Sequence, residues 1–340
     1  MSRSSDHPAL IIGLNAIVVA VTDERPRVLT VPRIGHGLGE LPPQSGYSPS
    51  QEKLDALPFG PLDPDKDRTL ELALRGWVRE QAGIEVGYVE QLYTFGDRNR
   101  DPRERWGGPR VLSIAYLSLA QEGAKAEGAR WRDWYDFLPW EDGRQGRPKI
   151  LVDHLEPALQ SWVDGAEGGL RADRRERVDI AFGLGGAPWD GYRVLDRYEL
   201  LYEAGLVAEA VRERLKDDEA MPELPHQGRA MRLDHRRILA TGLQRLRGKI
   251  KYRPVVFELL PDTFTLLQLQ KVVEALAGRP LHKQNFRRLV EKGGLVESTG
   301  QTASKTSGRP AMLFRFRREV LKERPTPGVG LPSLPGQKTR

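Results

Sequence analysis

Residues 281–290 read LHKQNFRRLV, and the segments on either side of this decapeptide give it its meaning. Upstream, Phe264–Gly278 (FTLLQLQKVVEALAG) repeats Leu266, Leu269, Val273 and Leu276 at helical spacing. Thr265 and Gln268 stand at the separation of a capping box, and Gly278 with Pro280 stops the helix. Within the decapeptide, a 100° wheel gathers Phe286, Leu289, Val290 and Gly293 on one side and turns Gln284, Arg288 and Glu291 outward, with Asn285 and Arg287 beside them. Downstream, LVES and AMLFRFR alternate like strands around the basic loop TGQTASKTSGRP. Helix, short turn, helix and hairpin, in that order, predict a winged helix-turn-helix.

Its chemistry suits duplex DNA. Arg, Gln and Asn carry the donor and acceptor pairs that match guanine and adenine edges in the major groove, so Lys283, Gln284, Asn285, Arg287 and Arg288 are the expected reading face. Lys305 and Arg309, on the Gly/Ser-rich wing, are placed to meet phosphates or the minor groove. Charge runs are more often simply solvated, and here the ordered arrangement of elements outweighs that reading.

At 340 residues the chain is long enough for two cored domains. A formal charge of +6 is compatible with an anionic partner but modest for this length. The absence of cysteine excludes disulfides, thiol catalysis and thiolate metal sites, and fits a reducing cytoplasm. The apolar run ALIIGLNAIVVAV has no basic flank or cleavage site and contains Asn15, so it is expected to be a strand of a soluble protein rather than a signal or membrane span.

From the N-terminus, Leu10–Val21 and Arg27–Val31 predict strands, followed by a long Pro/Gly-rich loop and a helix capped by Thr69 and ended by Gly83. Two more strands, VGYVEQLYTFGD and PRVLSIAYLSLA, flank the charged loop NRDPRERWGG. Aromatic and helical segments complete a mixed α+β domain over residues 1–165. Residues 166–230 are expected to be a helical insertion and linker, with one helix over Arg193–Leu215 whose apolar face covers either the neighbouring domain or a second subunit. GLGG at 183–186 lacks the Lys-Ser/Thr of a phosphate loop and reads as a turn. The expected DNA-binding domain spans 231–322. It opens with a helix, Asp234–Tyr252, that carries Arg236, Arg237, Arg245, Arg247, Lys249 and Lys251 on its surface, and then has Val255–Leu260 as a strand pairing with the wing. Residues 323–340 are expected to be disordered.

Strand, Pro/Gly loop, helix ending in R-E-x-x-G, then strand is the order around a Nudix box. YVEQLYTFGDRNRDP with SIAYLSL, DHRRILATGLQRLRGKIKY, and LLPDTFTLLQLQ…NFRR…GRPAMLFRF together resemble the Nudix-related transcriptional regulators of NAD metabolism (NrtR/NadQ type). The resemblance covers about Leu10–Trp140 and Met231–Phe316. It implies an N-terminal Nudix-like α/β/α sandwich joined to the winged helix, a homodimer on a palindromic operator, and ADP-ribose, NAD or a related adenine nucleotide as effector. Arg33, Glu80, Arg98, Asp101 and Arg103 are the residues it suggests for the effector.

The box itself departs from the family pattern. Aligning Gly83-Ile84 with its end leaves Glu80 on the first position of the acidic pair, Gln81 on the second, Gly76-Trp77 where Arg-Glu should stand, and Arg68 near the earlier glutamate. Hydrolysis of a pyrophosphate needs several carboxylates around divalent cations. Glu80, even with Glu71 in a slipped register, makes a poor site, so a non-catalytic sensor with no cofactor is expected. The rival reading is an active Nudix pyrophosphohydrolase acting on a nucleotide sugar or dinucleotide.

Overall fold

β1 (Leu10–Thr22) is the spine of the molecule, and its alternation splits the core in two. The computed structural model describes residues 10–32, 54–98, 100–101, 104, 107–123, 127–214, 224, 227–303 and 310–329. After β1, a turn through Asp23 and Glu24, both at positive φ, leads into β2 (Arg25–Thr30). β3 (Phe59–Pro61) pairs with β1, and α1 (Leu70–Ala82) follows. β4 (Tyr88–Phe95), β5 (Arg110–Leu119) and β6 (Arg130–Asp133) complete a sheet ordered β4-β5-β1-β2-β6. β1 and β5 run parallel over ten paired positions, Leu10 to Val19, whereas the other pairings are antiparallel.

Thr69 caps α1 by accepting a hydrogen bond from the Leu72 amide, and Gly83 closes it in the left-handed region at φ 68°. Ala73, Leu74, Val78 and Ala82 of α1 bury against Leu14, Ala16 and Val18 of β1. The opposite face of β1, with Ile17 and Val19, belongs to a larger core.

The cover of that second face comes from late in the chain. α2 (Trp134–Phe137), α3 (Glu156–Asp164), α4 (Gly168–Phe182), α5 (Val194–Glu203) and α6 (Ala208–Arg214) precede α7 (His235–Ile250). α7 packs on the sheet so closely that a Cβ on Gly242 would lie 2.5 Å from Ile17 Cδ1. Ile238, Leu239, Leu243, Leu246 and Ile250 join Ile17 in one cluster. The helix expected to open the DNA-binding domain is therefore the second helical layer of the α/β/α sandwich.

Two further expectations change. The single helix over 193–215 is two helices, α5 and α6, separated at Gly205 (φ 74°). Arg236 and Arg247, expected on the surface, are buried. A helical wheel cannot show this, because their partners Glu209 and Glu141 lie 27 and 106 residues away. The turn at 183–186 is present, with Gly183 closing α4 at φ 62°. Most of the acidic linker after α6 lies outside the described residues.

The C-terminal part contains α8 (Leu266–Ala277), α9 (Lys283–Lys292), β7 (Val296–Thr302), β8 (Met312–Phe316) and the short α10 (Val320–Glu323). Val255–Leu259 is a 3-10 turn that follows Pro254, not the expected strand. The third strand-like partner of the wing is Phe264, bridged to Phe314. The expected disorder from residue 323 is also not found up to 329: Val329 is buried, and its amide donates to Ile250 O at 3.1 Å. Residues 330–340 lie outside the described residues.

Candidate nucleic-acid interface and effector site

The capping box on α8 is complete, with the Thr265 hydroxyl accepting from Gln268 N and the Gln268 side chain accepting from Thr265 N. Gly278 ends the helix at φ 65°. The tight turn into α9 is set by side chains that sequence reasoning missed. Glu274 Oε1 accepts from Leu281 N and from Gln270 Nε2, both at 2.9 Å, and Gln270 also donates to Leu281 O. Burial opposes ionisation of Glu274, but the Leu281 amide, Gln270 and Lys271 outweigh it and hold the carboxyl below its ordinary range. Period-3.6 reasoning assigns both residues only to a helix face, so their role as staples of the turn has no local signal.

α9 presents the expected face. Phe286 and Val290 point into the core, and Lys283, Gln284, Asn285, Arg287 and Arg288 are all exposed. Among the described residues, none of the five is engaged in an ion pair or a side-chain hydrogen bond. Leu289, expected inward, is 36% exposed. Antiparallel β7 and β8 follow, with Val296 opposite Phe316 and Ser298 opposite Phe314. Phe257 stacks on Phe316 at 4.4 Å and ties the wing to the body. Lys305 and Arg309 lie outside the described residues.

In the N-terminal half the expected effector residues are spread over several elements. Glu80 is exposed near the end of α1, whereas Arg98, exposed, and Asp101, buried, share the loop after β4. Arg33 and Arg103 lie outside the described residues. The neighbour that sequence reasoning passed over is Arg100. Its guanidinium is buried and grips Asp234 with two bonds (2.5 and 3.0 Å) while a third reaches Ser113 Oγ at 2.5 Å. Asp234 directly precedes α7, so the loop is fastened to that helix. No pattern in NRDPRERWGG singles out one arginine.

The box positions do not fit a divalent cation cluster. Gln81 Nε2 donates to Phe59 O (2.6 Å) and its Oε1 accepts from Phe59 N (3.1 Å), so an amide is matched to a backbone edge where the family has a carboxylate. Trp77 lies over Gly60 and donates to Pro61 O at 3.0 Å. Glu71 is clamped by Arg75 through two bonds to one oxygen. Among the described residues, no group of three or more His, Asp or Glu could hold a metal. Likewise, no helix among them is long and apolar enough to cross a membrane.

The chain matches known proteins over both halves. Residues 256–316 match the NrtR DNA-binding winged helix domain. The chain is 24% identical over 315 residues to the ADPR responsive transcriptional repressor NtrR of Acinetobacter baylyi, covering 92% of this chain and 85% of that protein. Shewanella oneidensis NrtR in complex with a 27mer DNA superposes with a TM-score of 0.53 at 20% identity, covering 92% of this chain and 95% of that one. NrtR of the same organism in a second crystal structure gives 0.51 at 21% identity, covering 91% and 95%. The architecture is thus α+β: a Nudix-like α/β/α sandwich followed by a winged helix-turn-helix.

Proposed function

We propose that this chain, which resembles the NrtR-type regulators in both halves, is a ligand-responsive transcriptional repressor of NAD biosynthesis genes. The observation that carries this reading is the row of five exposed polar side chains on α9, held outward by Phe286 and Val290 on a helix whose entry turn is stapled by Glu274. Such a row is what a major groove requires. A homodimer acting in the cytoplasm would set two such helices on a near-palindromic operator, with Lys305 and Arg309 of each wing on the backbone. ADP-ribose, NAD or a related adenine nucleotide is the effector, held by Arg33, Glu80, Arg98, Asp101 and Arg103, since guanidiniums suit phosphate and carboxylates suit ribose hydroxyls. The relative from Acinetobacter supports ADP-ribose in particular. The sensing unit comprises residues up to about 165 together with α7, and the reading head begins after α7.

No catalysis is assigned, because Gln81 is committed to Phe59 and Glu71 to Arg75. A footprint on the protein's own upstream region and on NAD-biosynthesis promoters, repeated with ADP-ribose, NAD and ATP, tests partner, ligand and sign together. A protected palindrome that is lost with one nucleotide is expected; uniform, nucleotide-insensitive coating of DNA would refute the reading. Sustained release of AMP from ADP-ribose with magnesium would restore the hydrolase alternative.

A further inference from the structure

The carbonyls at the C-terminus of α8 have no partners within the helix, and three of them are taken by donors from the sensing half. Tyr135 Oη donates to Ala275 O at 2.7 Å, Arg247 Nε to Leu276 O at 3.1 Å, and Gly143 N to Gly278 O at 2.8 Å. Behind them stands a fully buried charged node. Glu141 accepts two bonds from Arg197 (2.5 and 2.9 Å) and one from Arg247, whose other nitrogen donates to Tyr135 Oη and Glu141 O. The node thus gathers the segment after β6, α5, α7 and α8 at one point. Gly278 is fitted to it: a Cβ there would lie 2.3 Å from Glu141 O.

Arg247 lies in the last turn of α7, and Asp234, which holds Arg100 of the loop carrying Arg98 and Asp101, stands at the other end. Arg237, one turn along, also faces Asp97 of that loop at 3.6 Å. Asp234 and Arg247 stand 13 residues apart, so α7 is a rod of about 20 Å from one contact to the other. Beside the node, the seam opens into a polar cleft of about 380 Å³ lined by Glu24, Arg144, Lys271 and Glu274 among others. Around these polar contacts the seam is apolar, with Leu269, Val273 and Leu276 of α8 in one cluster with Val28, Leu246 and Ile250, so Tyr135 and Arg247 fix how α8 is turned on that packing.

We infer that α7 is the coupling rod of the molecule: Tyr135 and Arg247 are positioning residues that set the angle of α8, and through the Glu274-stapled turn that of α9, according to the state of the loop held by Asp234. This rests on the functional reading above, and it identifies the contact through which ligand and DNA affinities are linked. It makes the seam a place where a substitution alters regulation without touching either ligand.

The test uses the full chain. Operator affinity is measured by anisotropy with and without saturating ADP-ribose, and ADP-ribose affinity by calorimetry without DNA, for wild type, Tyr135→Phe and Asp234→Asn. The expected result is that each variant binds operator and ADP-ribose alone within about threefold of wild type, while the factor by which ADP-ribose changes operator affinity shrinks at least fivefold. A merely structural role would lower thermal stability and leave that factor unchanged, which overturns the inference. A wild type that binds operator but ignores ADP-ribose fells the functional reading itself, and the inference with it. Should either variant fold poorly, hydrogen exchange on wild type decides: amides of 278–283 are expected to change protection when ADP-ribose binds, and identical exchange would overturn the proposal.

Discussion

Four side chains show how far a single residue's chemistry is set by its surroundings. His235 is fully buried beside Phe59, with Nδ1 accepting from Leu57 N at 3.0 Å. Burial, then the nearby Arg100, Arg232 and Arg212, push its pKa down to about 3. The unfolded chain titrates near 6.5, so between those values the unfolded state takes up a proton that the folded state refuses, and stability falls with pH. The cost of moving from pH 7 to 5 should be about 2 kcal/mol, and urea melts of His235→Asn, whose Oδ1 can still accept from Leu57 N, should lack that part of the pH dependence. At Gln81, replacement by Glu would set a carboxylate oxygen against Phe59 O, so Gln81→Glu is expected to lower stability by about 1–3 kcal/mol in thermal denaturation, with no gain of turnover on ADP-ribose. Tyr135 is held protonated, its pKa pushed up to about 12 mainly by burial, which keeps its hydroxyl a donor to α8. Glu141 feels the opposite balance: burial would raise it, but Arg197 and Arg247 more than offset that and hold it ionised.

At the scale of elements, α9 and the turn before it separate reading from positioning. Arg288→Ala should weaken operator binding by about 1–3 kcal/mol and relax base preference at one position, measured by anisotropy against operator variants. Glu274→Ala touches no DNA yet frees the Leu281 amide, so it should weaken operator and random duplex alike; an unchanged affinity would show that the turn is held by packing alone. Gly278 closes α8 at φ 65°, where a side chain costs about 1–2 kcal/mol even without the contact to Glu141 O. Gly278→Ala should therefore exceed that figure in a denaturant melt. The arginine-rich α4 gives a contrast: Arg171 and Arg175 pair with Asp164, Arg177 with Glu203, and Arg174 lies over Trp162, so its charge is spent within the protein.

In the molecule as a whole, the chain crosses between its two bodies more than once. It leaves the sheet after β6, builds α3–α6, returns with α7 to cover the sheet, makes the winged helix, and comes back through Val329 to the end of α7. Removing residues 324–340 should consequently destabilise α7 as well as the C-terminus, detectable as a lower melting temperature. DNA affinity of the intact chain should fall steeply with salt, because each neutralised phosphate adds about 0.9 to the logarithmic slope. Substituting Lys305 should flatten that slope by about one while weakening all sequences equally, and a loss confined to the operator would show base reading by the wing instead.

Periodicity and punctuation were enough to find the winged helix. Thr265, Gln268 and Gly278 delimit α8, and Phe286 and Val290 fix which side of α9 faces solvent, because helix caps and amphipathic faces are written in neighbouring residues. The Nudix-like strands and the Thr69-capped helix were legible for the same reason. Tertiary structure alone decided that α7 closes the sandwich, that Arg236 and Arg247 lie inside, that Leu289 stays outside, and that Gln81 clasps Phe59. Those outcomes depend on partners tens to more than a hundred residues away, and a buried guanidinium reads in sequence like an exposed one until its carboxylate is in place.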